Sequence, residues 1–503
     1  MAQNASTGRP SAALRRVLVP LALAQFICSF AGSNMNVMIN DISEDLDTTV
    51  QGVQVAITIF LLVMAALMIP GGKLTDRYGR KRCLTVGLAI YGVGALLSAV
   101  SPNLAVLILG NSILEGVGTA LLIPPVYILT TLLFTNVGSR ARAFGAISAL
   151  GGIGAAAGPL IGGLITWAIS WRAAFVFQAL VVALILILSR RYVRDPLPPD
   201  PTRPFDTGGA VLSAVGLVLL VMGILAADNN LWLMLGLIVA GALVLVWFFQ
   251  SVRAKERAGE EPLLSSALFH NRTSNLGLVT QNVQWLVLIG VSFVVSAYLQ
   301  VVRGYNAIET GGIFTAATLG ILGSSLRAQR LAQRWSQRTL ILLGFVVTIV
   351  GIVVFLVLIG ISKDIWAFVP GLFLIGLGVG CMLTPSVNVV QSSFGEDLQG
   401  EISGLSRSVS NLGSSMGAAI AGTILVAGLT KTPERSYALA MIALAVIALA
   451  GLVAAARLPS TPAAAPAAPS PPGDVDAPGL RDAADPPVSD GGPGGSGGSG
   501  GGG

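Results

Sequence analysis

Charge is scarce in this chain: Lys, Arg, Asp and Glu together make up 11% of its 503 residues. A soluble globular domain carries about 25%, so this balance argues against one. Cysteine is scarce too. Cys28, Cys83 and Cys381 are scattered in or beside apolar runs, which leaves neither a disulfide framework nor a metal pattern. Only one histidine is present, His270, in a charged stretch beside Arg272. It has no local acid and nucleophile around it. No phosphate-binding glycine loop with its lysine occurs, which argues against ATP hydrolysis. No selectivity-filter motif occurs either. The chain is therefore expected not to be an enzyme and to need no cofactor or metal.

What the chain has instead is long apolar runs. Hydrophobic residues reach 53% and the mean hydropathy is +0.79. A helix needs about 20 apolar residues to cross a bilayer, and a spanning strand would be shorter and alternating. The runs predict fourteen helical spans, at 17–39, 53–71, 84–100, 104–133, 143–169, 173–188, 208–227, 231–249, 276–302, 311–326, 340–361, 365–390, 402–429 and 437–456. The expected fold is an all-α polytopic membrane protein. Its segments read as an N-terminal stretch (1–16), a first six-helix set (17–190), a connector (191–207) and two additional helices (208–250). A second connector (251–275), a second six-helix set (276–457) and a tail (458–503) follow. The tail is rich in Pro, Ala, Asp and Gly and reads as disordered, with a Gly/Ser linker at its end. No cleavable signal peptide is apparent, and the first apolar run is expected to stay as a span.

The net charge of +6 does not point to nucleic acid, because the basic residues lie in short connections between apolar runs. Arg15 and Arg16, the 72–82 cluster, Arg140 and Arg142, Arg190 to Arg194, Arg253 to Arg257, and Arg327 to Arg338 fall on one side. The other side has Glu44, Asp45, Asp47 and Asp228, with scattered Arg303, Lys363, Lys431 and Arg435. The positive-inside rule then places both termini in the cytoplasm, in a cell inner membrane.

Polar groups inside spans are the candidates for function. Glu115 stands well inside the fourth span, where it can take up a proton or a cation, or support packing as a neutral acid. Asn34, Asn36 and Asn40 form a polar run in the first span with Asp41 beside it, Asn36 and Asn40 sharing a face. Asn111, Gln281, Asn282 and Trp285 complete a candidate substrate cavity, while Tyr298 and Gln300 lie near the outer end of the ninth span. In the fifth span Gly154, Gly158 and Gly162 recur every four residues, a smooth stripe for close helix packing. Pro159 beside it removes a backbone donor and bends the helix. The 72–82 stretch, GKLTDRYGRKR, reads as a tight surface loop. Asp76 there can pair with a neighbouring cation as a conformational latch, or the loop can act as a solvated anchor.

These motifs resemble the major facilitator superfamily. The 72–82 stretch is similar to that family's signature between its second and third helices, with Gly72, Asp76, Arg77, Gly79 and Arg80 as the latch. Gly154, Gly158, Pro159, Gly162 and Gly163 are similar to its antiporter helix motif. The two extra central helices look like its fourteen-helix drug:proton antiporter branch. Arg303, Gly304, Tyr305 and Gly311 resemble a further family stretch, as do Gly376, Gly378, Gly380 and Pro385, and a degenerate second signature lies at 330–338. Two departures stand out. Ala31 sits where the branch has an acid, and Asn111 where it has a coupling arginine; Glu115 replaces the glutamine before Gly116. The resemblance implies two six-helix bundles rocking about a central site. It implies export of small amphipathic molecules in exchange for protons. Because the usual coupling residues are missing, the carrier is expected at Glu115 instead, with membrane lipids around the chain and a monomer as the default unit. A lipid or metabolite transporter without proton coupling, and a non-transporting scaffold or sensor, stay open as alternatives.

Overall fold

The structure, a computed structural model, describes residues 12–134, 137–196, 198–202, 204–226, 230–331, 334–362, 364–395, 398–429 and 433–460. The expectations for Asp228, Lys363, Lys431, the tail beyond 460 and the side chain of Arg330 lie outside the described residues. Among the described residues there is no strand. In lipid every backbone polar group must pair within its own segment, and a helix does this for a long apolar run.

Fourteen long helices are present among the described residues, numbered here α1 Ala12–Asn34, α2 Val50–Tyr78, α3 Arg80–Ala99, α4 Gly116–Leu133, α5 Val137–Ala168 and α6 Trp171–Tyr192. Next come α7 Thr207–Leu225, α8 Leu231–Arg257, α9 Arg272–Ala297 and α10 Ala307–Leu331. The last are α11 Gln337–Ile361, α12 Phe368–Gln391, α13 Gln399–Leu429 and α14 Pro433–Ala456. Eleven helical stretches are long and apolar enough to cross a membrane, and twelve when α5, bent by 42° around residue 156, counts as one. The α10 and α13 helices fall outside that test; α13 carries Glu401, Arg407 and a run of serines. The bend in α5 follows from Pro159, whose ring displaces the carbonyl four residues back, at Ala155.

Polar residues just before the apolar runs start the helices. Thr49 accepts from the Gly52 N–H at 3.1 Å, Asn230 from Trp232 at 2.9 Å and Asn271 from Thr273 at 2.9 Å. Each satisfies a backbone donor left over at a helix start.

Helices α1–α6 pack mainly on one another and α9–α14 likewise, which gives two helical halves. The seam between them runs along α2 and α13, where Ser408 donates to the Ala65 carbonyl at 2.5 Å and Ser415 to Thr58 at 3.1 Å. Gln54 Nε2 reaches the carbonyls of Ala418 and Ala419, both at 3.2 Å. A second seam joins α5 to α10. A Cβ at Gly163 would stand 2.4 Å from the Ala307 carbonyl oxygen, so the helices meet backbone to backbone there. The Gly154, Gly158 and Gly162 stripe faces α1 instead. The two extra helices lie against the α2/α13 seam through α7, where Val221 packs on Leu62 and Ala419. The outermost helix, α8, leaves Trp232, Leu243 and Trp247 exposed.

Two sequence expectations are corrected. The 72–82 stretch is not a loop: α2 continues to Tyr78 and α3 begins at Arg80. Charges mark where the chain leaves lipid, but they do not break a helix. Gly79 does, with a φ of +93° that only glycine adopts freely. Likewise Arg253, Lys255, Glu256 and Arg257 belong to the last turns of α8 and not to a connector.

Candidate functional site: a cavity between the halves

A cavity of about 1040 Å³ of empty space, its mouth included, lies between the halves. The first half supplies Gln25, Cys28, Ser33 and Asn36 from α1 and its extension, Met64 and Met68 from α2, Ile123 from α4 and Pro159 from α5. The second half supplies Trp285 from α9, Phe314 from α10, and Arg407, Ser410 and Asn411 from α13. The wall is mainly apolar with a few convergent polar groups, the usual make-up of a small-molecule site.

Of the expected cavity residues, Asn36 and Trp285 line it. The others are placed elsewhere. Asn111 donates to the Met35 sulfur at 3.4 Å, tying the segment before α4 to the turn that follows α1. Gln281 accepts from Ser406 at 2.9 Å and Asn282 donates to the Val409 carbonyl at 3.0 Å, so both knit α9 to α13. Asn34 is buried beside Gly158 and Gly162. Asn40 donates its side-chain N–H to Glu44 at 2.8 Å and its backbone N–H to Gln300 at 3.1 Å. Gln300 also donates to the Asn36 carbonyl at 2.8 Å, joining the halves on the face away from the basic turns.

Glu115 is fully buried inside the first half and is not in the cavity wall. It ends a π-helical segment, Ile108–Glu115, interposed between Leu104–Leu107 and α4. Such π segments often mark functional positions in helices. Neither carboxyl oxygen has a hydrogen-bonded partner. The Tyr91 hydroxyl lies beside the carboxyl, but its proton is directed to Gln178 Oε1 at 2.5 Å. Cys28, which does line the cavity, donates to the Thr119 hydroxyl at 3.8 Å, and Thr119 donates to the Glu115 backbone carbonyl at 2.8 Å.

On the face of the basic turns, Asp76 pairs with Arg80 at 2.6 Å across the Gly79 break. The contact between halves there is made by Lys73, a neighbour of the expected latch residues. Its ammonium meets Glu401 at the start of α13 at 2.9 Å and Glu261 at 3.0 Å. Arg77 lies over the Tyr78 ring at 5.7 Å.

Arg407 was not foreseen. It stands on the cavity wall, donates to the Tyr127 hydroxyl oxygen and lies 4.7 Å from that ring's centroid. The rule that singled out Glu115, a charge inside a span, applies equally to Arg407 within 402–429.

A bundle of this kind, with a cavity between two helical halves, defines a membrane transporter. Comparison with known proteins agrees. The Major Facilitator Superfamily profile matches residues 21–418, and the chain belongs to that family. The puromycin resistance protein pur8 of Streptomyces alboniger is 31% identical over 413 residues, 81% of each chain. The multidrug resistance protein Stp of Mycobacterium tuberculosis is 26% identical over 423 residues, covering 83% of this chain and 77% of its own. The multidrug efflux pump LfrA of Mycolicibacterium smegmatis is 29% identical over 375 residues, covering 74% and 73%. Among solved structures, a peptide transporter POT in complex with sulfate superposes with a TM-score of 0.63 at 19% identity, covering 88% of this chain and 95% of its own. That likeness concerns the fold alone.

Proposed function

We propose that the chain is a secondary active transporter that exports small amphipathic or hydrophobic molecules by alternating access, in exchange for protons. The observation that carries this reading is the mainly apolar cavity lined by residues of both halves. Relatives named for drug resistance and efflux support the export direction. All fourteen long helices cross the membrane in this reading, with the basic turns and both termini in the cytoplasm. Substrate binds near the midplane, and the halves rock about it. The α5/α10 and α2/α13 seams are the surfaces that slide, and Lys73 with Glu401 closes the cytoplasmic face. Glu115 is the proton carrier. Protonation shifts the balance of states only because a charged carboxylate without partners is tolerated in one packing and not the other.

The test is flux from proteoliposomes holding the full chain and a panel of fluorescent amphipathic compounds, under imposed pH gradients. A gradient-dependent efflux above protein-free vesicles is expected. Flux indifferent to the gradient would remove proton exchange, and no flux across the panel would remove export.

A further inference from the structure

Among the described residues the cavity wall carries one charged side chain, Arg407, and no carboxylate. Its guanidinium is held by a relay of neutral groups. Arg407 donates to the Tyr127 oxygen, Tyr127 donates to Gln25 Oε1 at 3.0 Å, and Gln25 Nε2 donates to Ser29 at 3.1 Å. The Tyr127 ring is itself fixed by Phe144, 5.9 Å away between centroids. These partners orient the guanidinium without neutralising it. Among the described residues no Asp or Glu forms an ion pair with Arg407. Glu115 is buried and outside the wall.

A full positive charge at membrane depth without a counter-ion is costly. An arriving anion relieves that cost, whereas a cation adds repulsion in a medium of low dielectric. Guanidinium offers five N–H donors in a planar fork that fits a carboxylate with two parallel bonds. The same wall holds Met64, Met68, Trp285 and Phe314, which suit an apolar or aromatic body.

We infer that the cavity selects free amphipathic acids, an apolar body bearing one carboxylate or comparable oxyanion, with Arg407 as the group that grips the anion. This rests on the reading of the cavity as an exporter's substrate site and narrows the cargo of that site to acids.

The test is equilibrium binding to the full chain in phosphatidylcholine proteoliposomes, with no gradient. The probes are 1-pyrenebutyrate, its methyl ester and the matching pyrenylbutyl-trimethylammonium. The acid is expected to bind at least about tenfold more tightly than the ester, with the cation weakest. Arg407→Gln is expected to bring the acid down to the ester's affinity while ester binding persists, which also shows that the variant is folded. Arg407→Lys keeps the charge but not the fork, and is expected to retain part of the preference. The wild-type ratio of acid to ester decides the matter even where a variant does not fold. Equal affinity for acid and ester, preference for the cation, or an acid preference that survives Arg407→Gln would overturn the inference. Adding phosphatidylglycerol to the vesicles separates the two sources of an oxyanion. Unchanged affinity for pyrenebutyrate supports a free acid, and competition would hand the site to a lipid headgroup and overturn that part. Acid binding without flux would count against export and not against the anion site. Flux of esters or cations without acid binding would count against the anion site and not against export.

Discussion

Glu115 and Arg407 are both ionisable groups within long helices of the bundle, and their settings are opposite. Glu115 is fully buried in the first half, with no hydrogen-bonded partner for either oxygen. Arg407 is half-buried on the cavity wall of the second half and leans on Tyr127 of the first. A carboxyl sealed off from the cavity can exchange a proton but cannot touch cargo without a change of packing. A guanidinium on the wall can touch cargo directly and offers it N–H donors. In the proposed cycle this difference gives coupling to Glu115 and grip on the cargo to Arg407. Cargo and proton then need not compete for a single carboxylate.

That division is exposed to three further perturbations. The largest expected loss of stability comes from Asp206, which is remote from both groups. Burial pushes its carboxyl up, but the Lys255 ammonium and the N–H groups of Gly209 and Leu263 more than offset this and hold it below the ordinary 3.8. A depressed carboxylate contributes stability above that value and loses it as the pH falls through the folded-state value. Asp206→Ala removes this ion pair and the cap of α7, costing about 2 kcal/mol at neutral pH. The thermal midpoint should drop at pH 7 and converge with wild type under strong acid, with acid binding and gradient response unchanged per folded molecule.

Lys73→Gln comes next. It deletes both ion pairs to Glu401 and Glu261, whose side chains are 23% and 36% exposed, so solvent limits the effect to about 1 kcal/mol. That loosens the closed face, and roughly fivefold faster labelling is expected at a cysteine placed by Ser410→Cys. The reagent is a membrane-impermeant maleimide applied from the basic-turn side, in a background with Cys28, Cys83 and Cys381 changed to Ser. Unaltered labelling would deny Lys73 a role between the halves. The smallest effect is expected from Tyr91→Phe, which leaves Gln178 Oε1 unpaired and costs about 1 kcal/mol. It should alter the gradient response and leave the affinity for pyrenebutyrate as it was. A changed affinity would mean that the Glu115 environment and the cavity are one site.

Much of this architecture was legible in the residues. Apolar runs gave the helices, because lipid leaves the backbone no other way to pair. The Gly154, Gly158 and Gly162 stripe was readable as a packing face, though not which helix it meets. Residue order is silent on azimuth, and this is where the expected cavity and the observed one part. Gln281 and Asn282 turn toward α13, Asn111 turns toward Met35, and the π segment before Gly116 resets the face that Glu115 presents. The end of α2 was set too early because Lys73, Asp76 and Arg77 mark the exit from lipid and not the end of the helix. Arg407 sits among Ser403, Ser406, Ser408 and Ser410, a polar neighbourhood that an apolar-run pattern does not single out.

The account turns on Glu115 carrying the proton and not the cargo. The most direct test is gradient-driven flux through Glu115→Gln in proteoliposomes, with probe affinity measured on the same sample. The account predicts that the response to the pH gradient falls by at least about tenfold while the affinity for pyrenebutyrate stays within about twofold of wild type. A wild-type gradient response in Glu115→Gln, or a collapse of affinity with it, would contradict the account.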